Sequence, residues 1–308
     1  MIHEKDFGRV GVLCGGTSSE REVSLASGSA VYDALISRGI SAELIDTKKQ
    51  NIIKVSENRI DRAIIMLHGR GGEDGAIQGL LEALDIPYTG SGIAACALAL
   101  DKWRSKLIFE ACNIPTPQFS SVTSVQEVTD VVNNLGVPLI VKPSREGSTI
   151  GLTKILDQSE AQPAYELARQ YDCSVIAEKF IEGDELTVAI LNGKPLPVVR
   201  IVAPNNNYDY QAKYHSDETE YFCPSELDSS IDLRVQEVAM KAFKVLGCVG
   251  WGRVDVMLDK AGVPWVLEVN TVPGMTKHSL VPMAAKATGI NFEELVVAIL
   301  GGNNVAQL

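Results

Sequence analysis

The chain has 308 residues, which at roughly 150 residues per domain points to two domains. Hydrophobic residues make up 45% and charged residues 22%, close to the globular average, which excludes disorder, a collagen-like repeat and a disulfide-stapled miniprotein. With 28 Lys+Arg against 39 Asp+Glu the net charge is −11; this argues against a nucleic-acid surface or a polybasic membrane contact, but not against small anions met by a few lysines.

The six cysteines, Cys14, Cys96, Cys112, Cys173, Cys223 and Cys248, form no C-x-x-C pair and read as small core residues. Residues 1–9 are polar and unlike a signal peptide, and no apolar run reaches the roughly 18 residues of a membrane span. A cytoplasmic protein is expected.

The first hundred residues alternate strand and helix signals. Arg9–Cys14 is an apolar run ending in Gly15-Gly16, and Ser18 and Ser19 are candidate caps for a helix starting near Glu20 and ending at Gly39. Ser41–Ile45 and Ala63–Leu67 read as strands, and Ala76–Leu84 as a helix. This pattern implies a mostly parallel three-layer domain with its ligand crevice beyond the strands' carboxyl ends, where Gly15-Gly16 and His68-Gly69 fall. Asp101–Cys112 is a helix stopped by Pro115 and Pro117. Helix Val125–Leu135, strand Leu139–Lys142, a Gly/Ser loop, strand Gly151–Leu156, a helix over about residues 163–171, and strands Val175–Phe180 and Glu185–Leu191 follow. After strand Leu196–Val202, residues 204–224 are very polar without a period and read as a lid. Helix Ile231–Leu246 precedes a hairpin of Gly250–Leu258 and Val263–Asn270.

Four places could carry chemistry. Lys142 closes an apolar run, and the loop after it, through Ser148 to Gly151, reads either as a nest of N–H groups over phosphates or as an ordinary hairpin loop. Neither the P-loop nor the dinucleotide fingerprint is present. In the terminal hairpin, alternation puts Arg253 and Asp255 on one face and Glu268 and Asn270 on the matching face of the partner strand. A turn centred on Lys260-Ala261 would set Arg253 opposite Glu268 and leave Val254, Val256, Leu258, Trp265, Leu267 and Val269 for the core. Such a polar face offers hard oxygen ligands for Mg²⁺, or is a solvated surface with a cross-strand ion pair. Glu178-Lys179-Phe180-Ile181, with Glu185 after it, could hold a purine and a ribose or simply be surface strand. Glu20 reads either as a charge favoured at a helix N-terminus or as a partner for an ammonium group. His68, Lys213 and Tyr214 by themselves read as structural or solvated.

Together these residues give a resemblance. The chain resembles the D-alanine–D-alanine ligases of the ATP-grasp superfamily almost end to end. The resemblance rests on Ser19-Glu20-Arg21-Glu22-Val23-Ser24, on the H-G-x-x-G-E-D-G run His68–Gly75, and on Gly90-Ser91-Gly92 and Lys142–Gly147. It continues through Tyr208–Tyr214, Leu267–Thr271 and Pro273–Thr276. Val272 and Lys277 stand where small polar residues are common in the family.

The resemblance implies an α/β and α+β three-lobed ATP-grasp fold with an N-terminal parallel-sheet (Rossmann-like) domain. The lobes would be residues 1–100, 101–185 and 186–308, the last carrying the lid 204–224. It implies ATP-dependent joining of two D-alanines through an acyl phosphate, for peptidoglycan precursor synthesis, with two Mg²⁺ or Mn²⁺ ions per site. Asp255, Glu268 and Asn270 would hold metal; Lys102, Lys142 and Lys213, with the loop at Ser148, would meet phosphates; Glu178, Lys179, Ile181 and Glu185 would hold adenine and ribose. Glu20, in a network with Ser148 and Tyr214, would anchor the first substrate beside Val23 and His68. Arg253 and the Gly274 N–H would form an oxyanion hole, and Ser279 and the Leu280 N–H would hold the second carboxylate. A homodimer is expected, with no nucleic-acid or membrane partner. Competing readings are a related carboxylate–amine or D-alanyl-D-lactate ligase, against which Tyr214 speaks, a non-enzymatic nucleotide-binding regulator, and a nicotinamide dehydrogenase.

Overall fold

The computed structural model describes residues 7–48, 60–203, 219–276 and 279–302. Strand β1 (Val10–Cys14) is buried along its whole length, as expected of an apolar run covered on both faces. It pairs in parallel with β2 (Ala42–Asp46) and β3 (Arg62–Ile65), in the order β2-β1-β3. Helix Arg21–Ser37 follows β1. The two serines expected to cap it do not. Glu20 occupies the N-cap without a side-chain cap, because the Ser18 hydroxyl turns across to donate to the His68 carbonyl at 2.7 Å. Helices Leu280–Ala287 and Phe292–Leu300 return to this sheet: Val281, Ala285, Leu295 and Ile299 share its core, and Arg62 Nη1 donates to the Leu300 carbonyl at 2.9 Å.

A second, antiparallel sheet contains β4 (Phe119–Val122), β5 (Leu139–Pro143), β6 (Thr153–Ile155) and β7 (Val175–Lys179), in the order β4-β7-β5-β6. Helices Val125–Leu135 and Ala161–Tyr171 cover it. The first is capped by Ser124, which accepts from the Glu127 N–H, and buries Val128, Val131 and Val132 at helical spacing.

The third sheet is antiparallel and holds β8 (Gly183–Leu191), β9 (Lys194–Pro195), β10 (Val199–Val202), β11 (Glu220–Phe222), β12 (Trp251–Asp259) and β13 (Pro264–Asn270). Its order is β11-β10-β8-β12-β13, with β9 on β8. Helix Ser229–Val245 buries Val235, Ala239, Ala242 and Phe243 against it. The boundary expected between residues 185 and 186 falls inside β8. The end of the expected lid is ordered as β11 on β10; residues 204–218, including Lys213 and Tyr214, lie outside the described residues, as does Lys277.

The hairpin register differs from the expected one. Arg253 faces Asn270, and Asp255 faces Glu268: the turn sets Leu258 opposite Pro264, which accounts for part of the shift, and a β-bulge after Asp255, which leaves Leu267 as an extra residue, supplies the rest. The extra residue also shifts the phase of alternation. Val266 is buried in place of Trp265 and Leu267, and Trp265 lies partly exposed with its Nε1 donating to Asp259 Oδ2 at 2.9 Å. No helix among the described residues is long and apolar enough to cross a membrane.

Candidate active site

The three sheets converge on a cavity of about 710 Å³. Its first wall comes from the loops after β1 and β3, as the parallel topology requires. Glu20 is buried there, and the Ser148 hydroxyl of the second lobe donates to its Oε1. Glycine at 147 leaves room for this approach, since a Cβ there would lie 2.7 Å from Glu20 Oε2 and push the carboxylate aside. Ser148 and Thr149 adopt positive φ, 52° and 64°, a costly conformation for residues with a Cβ.

Val23 and His68 line the same wall. His68 Nδ1 donates to the Val272 carbonyl at 2.8 Å, and the Ser27 hydroxyl lies 3.1 Å from Nε2. Burial pushes the imidazole pKa down against the pull of Glu20, so the ring is neutral at pH 7. Glu73, in the motif that begins at His68, accepts from the Gly69 N–H at 2.8 Å and from the Val272 N–H at 3.0 Å. It therefore ties the first lobe to the loop leading into Gly274.

The second wall is basic. Lys102 opens the helix Lys102–Ala111, whose N-cap Asp101 accepts from the Arg104 N–H. Lys102 Nζ donates to the Glu146 carbonyl at 2.7 Å and lies 2.9 Å from Glu268 Oε2. Burial works to lower its pKa, but Glu268 first, and Glu20 and Glu178 after it, hold it above the ordinary value. One helical turn on is Lys106, fully buried, which sequence reasoning missed. Lys102 and Lys106 are four residues apart, so they share a helix face, and that spacing was the available signal. Lys106 Nζ lies 2.9 Å from Glu178 Oε2, and Lys142 pairs with Glu178 Oε1. Each oxygen of Glu178 thus faces a buried ammonium group.

The third wall is the polar face of β12 and β13. Arg253 grips Asp255 with both ends of its guanidinium, at 2.8 and 2.7 Å. Asn270 Nδ2 and the Thr187 hydroxyl donate to the same carboxylate at 3.0 and 2.7 Å. Glu185, Gly274, Ser279 and Leu280 complete the lining. The Ser279 hydroxyl accepts from the Thr276 N–H at 2.9 Å, at the start of helix Leu280–Ala287. Lys142, Glu178, Lys179 and Ile181 do not line the cavity: the first two are buried on β5 and β7, and Lys179, at the end of β7, is exposed.

Asp255 and Glu268 face each other across the hairpin, and the Asn270 amide reaches Asp255. No cluster of three or more His, Cys, Asp or Glu side chains able to hold a metal occurs among the described residues. Two carboxylates and an amide oxygen nevertheless make a hard set suited to Mg²⁺ or Mn²⁺. Both carboxylates are drawn onto cations, Arg253 and Lys102, which is the behaviour of a site that needs positive charge.

The model of the D-ala D-ala ligase C-terminus matches residues 108–301, and that of the D-ala D-ala ligase N-terminus matches residues 45–91. The chain belongs to the D-alanine–D-alanine ligase family. A family member from Nitrosospira multiformis is 54% identical over 301 residues, 98% of each chain. Among solved structures, the D-alanine–D-alanine ligase of Bacillus anthracis complexed with ATP superposes with a TM-score of 0.83 at 34% identity, covering 95% of this chain and 96% of that one. The VanG D-Ala:D-Ser ligase of Enterococcus faecalis gives 0.84 at 30% identity, covering 96% and 99%. These neighbours share the ATP-grasp architecture with its N-terminal parallel sheet, as the motifs led one to expect.

Proposed function

We propose that the chain joins two D-alanines into D-alanyl-D-alanine, with cleavage of ATP to ADP and phosphate, for peptidoglycan precursor synthesis. The observation that carries this reading is the single cavity lined by Glu20, Lys102 and the Arg253–Asp255–Glu268–Asn270 face. The carboxylate of the first D-alanine attacks the γ-phosphate, giving an acyl phosphate and ADP. The amine of the second attacks that carbonyl, and phosphate leaves. An anion attacking an anion needs charge neutralisation and fixed geometry, and Lys102 and Lys142, with the loop at Ser148, supply both. Glu20 takes the first ammonium, beside Val23 and a neutral His68. Arg253 and the Gly274 N–H receive the oxyanion, and Ser279 and the Leu280 N–H receive the second carboxylate at a helix start.

Asp255, Glu268 and Asn270 would hold Mg²⁺ or Mn²⁺, two ions per site, whose charge would offset that of the nucleotide phosphates. In this reading Glu178, Lys179, Ile181 and Glu185 surround adenine and ribose. Lys213 and Tyr214 complete the phosphate and Glu20–Ser148 networks in this reading. The same reading makes the chain a cytoplasmic homodimer of three lobes, without a nucleic-acid or membrane partner.

The test is phosphate release from ATP and Mg²⁺ with single amino acids, followed by product analysis with D-alanine, D-lactate and D-serine as acceptors. D-alanine-dependent release with dipeptide as product is expected; release with L-amino acids alone would sink the assignment. Arg253→Met should lower kcat by about 10²–10³, the cost of one oxyanion donor. Glu268→Gln should also cut turnover sharply; a fully active variant would remove Glu268 from the metal set.

A further inference from the structure

The ligase reading uses Ser148 but not the ion network that brings it to Glu20. Arg70, in the loop after β3, reaches from the first lobe to the second. Its Nε lies 2.9 Å from Glu146 Oε1, and its Nη2 lies 3.3 Å from Asp172 Oδ1 and 3.4 Å from the Tyr171 carbonyl. Ser19, next to Glu20, donates to the other Glu146 oxygen at 3.3 Å. Glu146 stands two residues before Ser148, and its own carbonyl accepts from Lys102 Nζ.

The base of the same loop is held from within the second lobe. Arg145 grips Asp172 at 3.0 and 2.6 Å, and its backbone N–H donates to Asp172 Oδ2 at 3.1 Å. Asp172 is 1% exposed in its side chain, so Arg70 docks on an anchor that is already fixed. The loop is thus tied at residue 145 to its own lobe and at residue 146 to the first lobe. Positive φ at Ser148 and Thr149 is a strained state that needs such ties to persist. The two contacts come from different nitrogens of the guanidinium fork, Nε and Nη2, a spread that the single ammonium nitrogen of lysine lacks.

We propose that Arg70 is a positioning residue: through Glu146 and Asp172 it latches the glycine loop to the first lobe, holding Ser148 against Glu20 and the Glu146 carbonyl against Lys102. The inference rests on the ligase reading for its consequence, but the latch itself is a property of the loop. Losing the latch lowers the population of the closed loop. Substrates that need the closed loop then bind more weakly by that fraction, and saturating substrate restores it.

The experiment uses the full chain as wild type, Arg70→Ala, Arg70→Lys and Glu146→Gln, the last removing the charge of the same contact from the other side should an Arg70 variant fold poorly. Hydrogen exchange over residues 145–151 reads the latch whether or not the chain is a ligase, and about fivefold or faster exchange is expected in Arg70→Ala and Glu146→Gln. In D-alanine-dependent turnover, KM for ATP or D-alanine should rise about 5–20-fold while kcat falls less than about threefold. Phosphate released per dipeptide should exceed one, because an open loop admits water to the acyl phosphate. Arg70→Lys should resemble Arg70→Ala. Unchanged exchange would overturn the latch, and faster exchange with unchanged KM and stoichiometry would overturn its positioning role. A lysine as effective as arginine would overturn the two-carboxylate geometry. Absence of D-alanine-dependent turnover in wild type would count against the ligase reading instead.

Discussion

Glu178, at the end of β7, and Glu73, in the loop after β3, are both buried carboxylates, yet their acidities diverge. Burial works to raise both. At Glu178 the ammonium groups of Lys106 and Lys142 more than offset it, and the pKa falls to about 2. At Glu73 burial is joined by repulsion from Glu20, and the Gly69 and Val272 N–H groups, with Arg253 farther off, do not prevail; the pKa rises to about 8. Whole charges reverse a desolvation penalty that backbone dipoles only soften. Glu178 is held as an anion by both lysines, whereas burial and the charge of Glu20 push Glu73 toward its protonated form.

The largest effect should come from removing the anion that two buried lysines share. Glu178→Ala strands Lys106 and Lys142, and a broken buried pair costs about 3–5 kcal/mol, read as a lower urea midpoint. Lys106→Met should cost less, about 1–3 kcal/mol, because Lys142 still holds Glu178. A Lys106→Met loss as large as that of Glu178→Ala would mean that the two lysines do not share the carboxylate. The pH dependence carries the same contrast. The stability contributed by Glu178 is present above its unfolded pKa of 4.5 and is lost as pH falls through about 2. For Glu73 the sign reverses. Between 4.5 and about 8 the unfolded chain has released a proton that the folded chain retains, so stability declines as pH rises through that window. Glu73→Gln cannot ionise and should flatten this part of the profile. Urea midpoints at pH 5 and pH 8 check it, and an unaltered slope would show that Glu73 is already ionised.

Much of this was legible before any coordinates. Val128, Val131 and Val132 mark one helix face by their period, and the unbroken apolar run Val10–Cys14 marks a central strand covered on both faces. Helix Ile93–Leu100 escaped notice since its eight residues include no polar one to define a face, and β4 escaped because it is four residues long with two serines at its centre. The gathering of Arg253, Asp255, Glu268 and Asn270 on one face was visible in the alternation. Their pairing was not, since a bulge at Leu267 is set by how β13 seats on its neighbours rather than by its own pattern. Lys106 was missed for a similar reason: its spacing from Lys102 puts both on one helix face, but a lysine in a polar helix reads as solvated until the strand carrying Glu178 is placed beside it.

The smallest effect makes the comparison sharper. Lys260 and Glu182 form a 3.0 Å pair, close to the Lys106–Glu178 separation, but their side chains are 76% and 73% exposed. Water and salt already solvate both ions, so their mutual attraction is weak and is set against the entropy of holding two long side chains together. Lys260→Ala should therefore leave the urea midpoint unchanged within error at low and high salt alike. A loss comparable to that of Lys106→Met would mean that proximity of opposite charges, rather than their removal from water, governs the stability of this chain, and the account of Glu178 and Glu73 would fail with it.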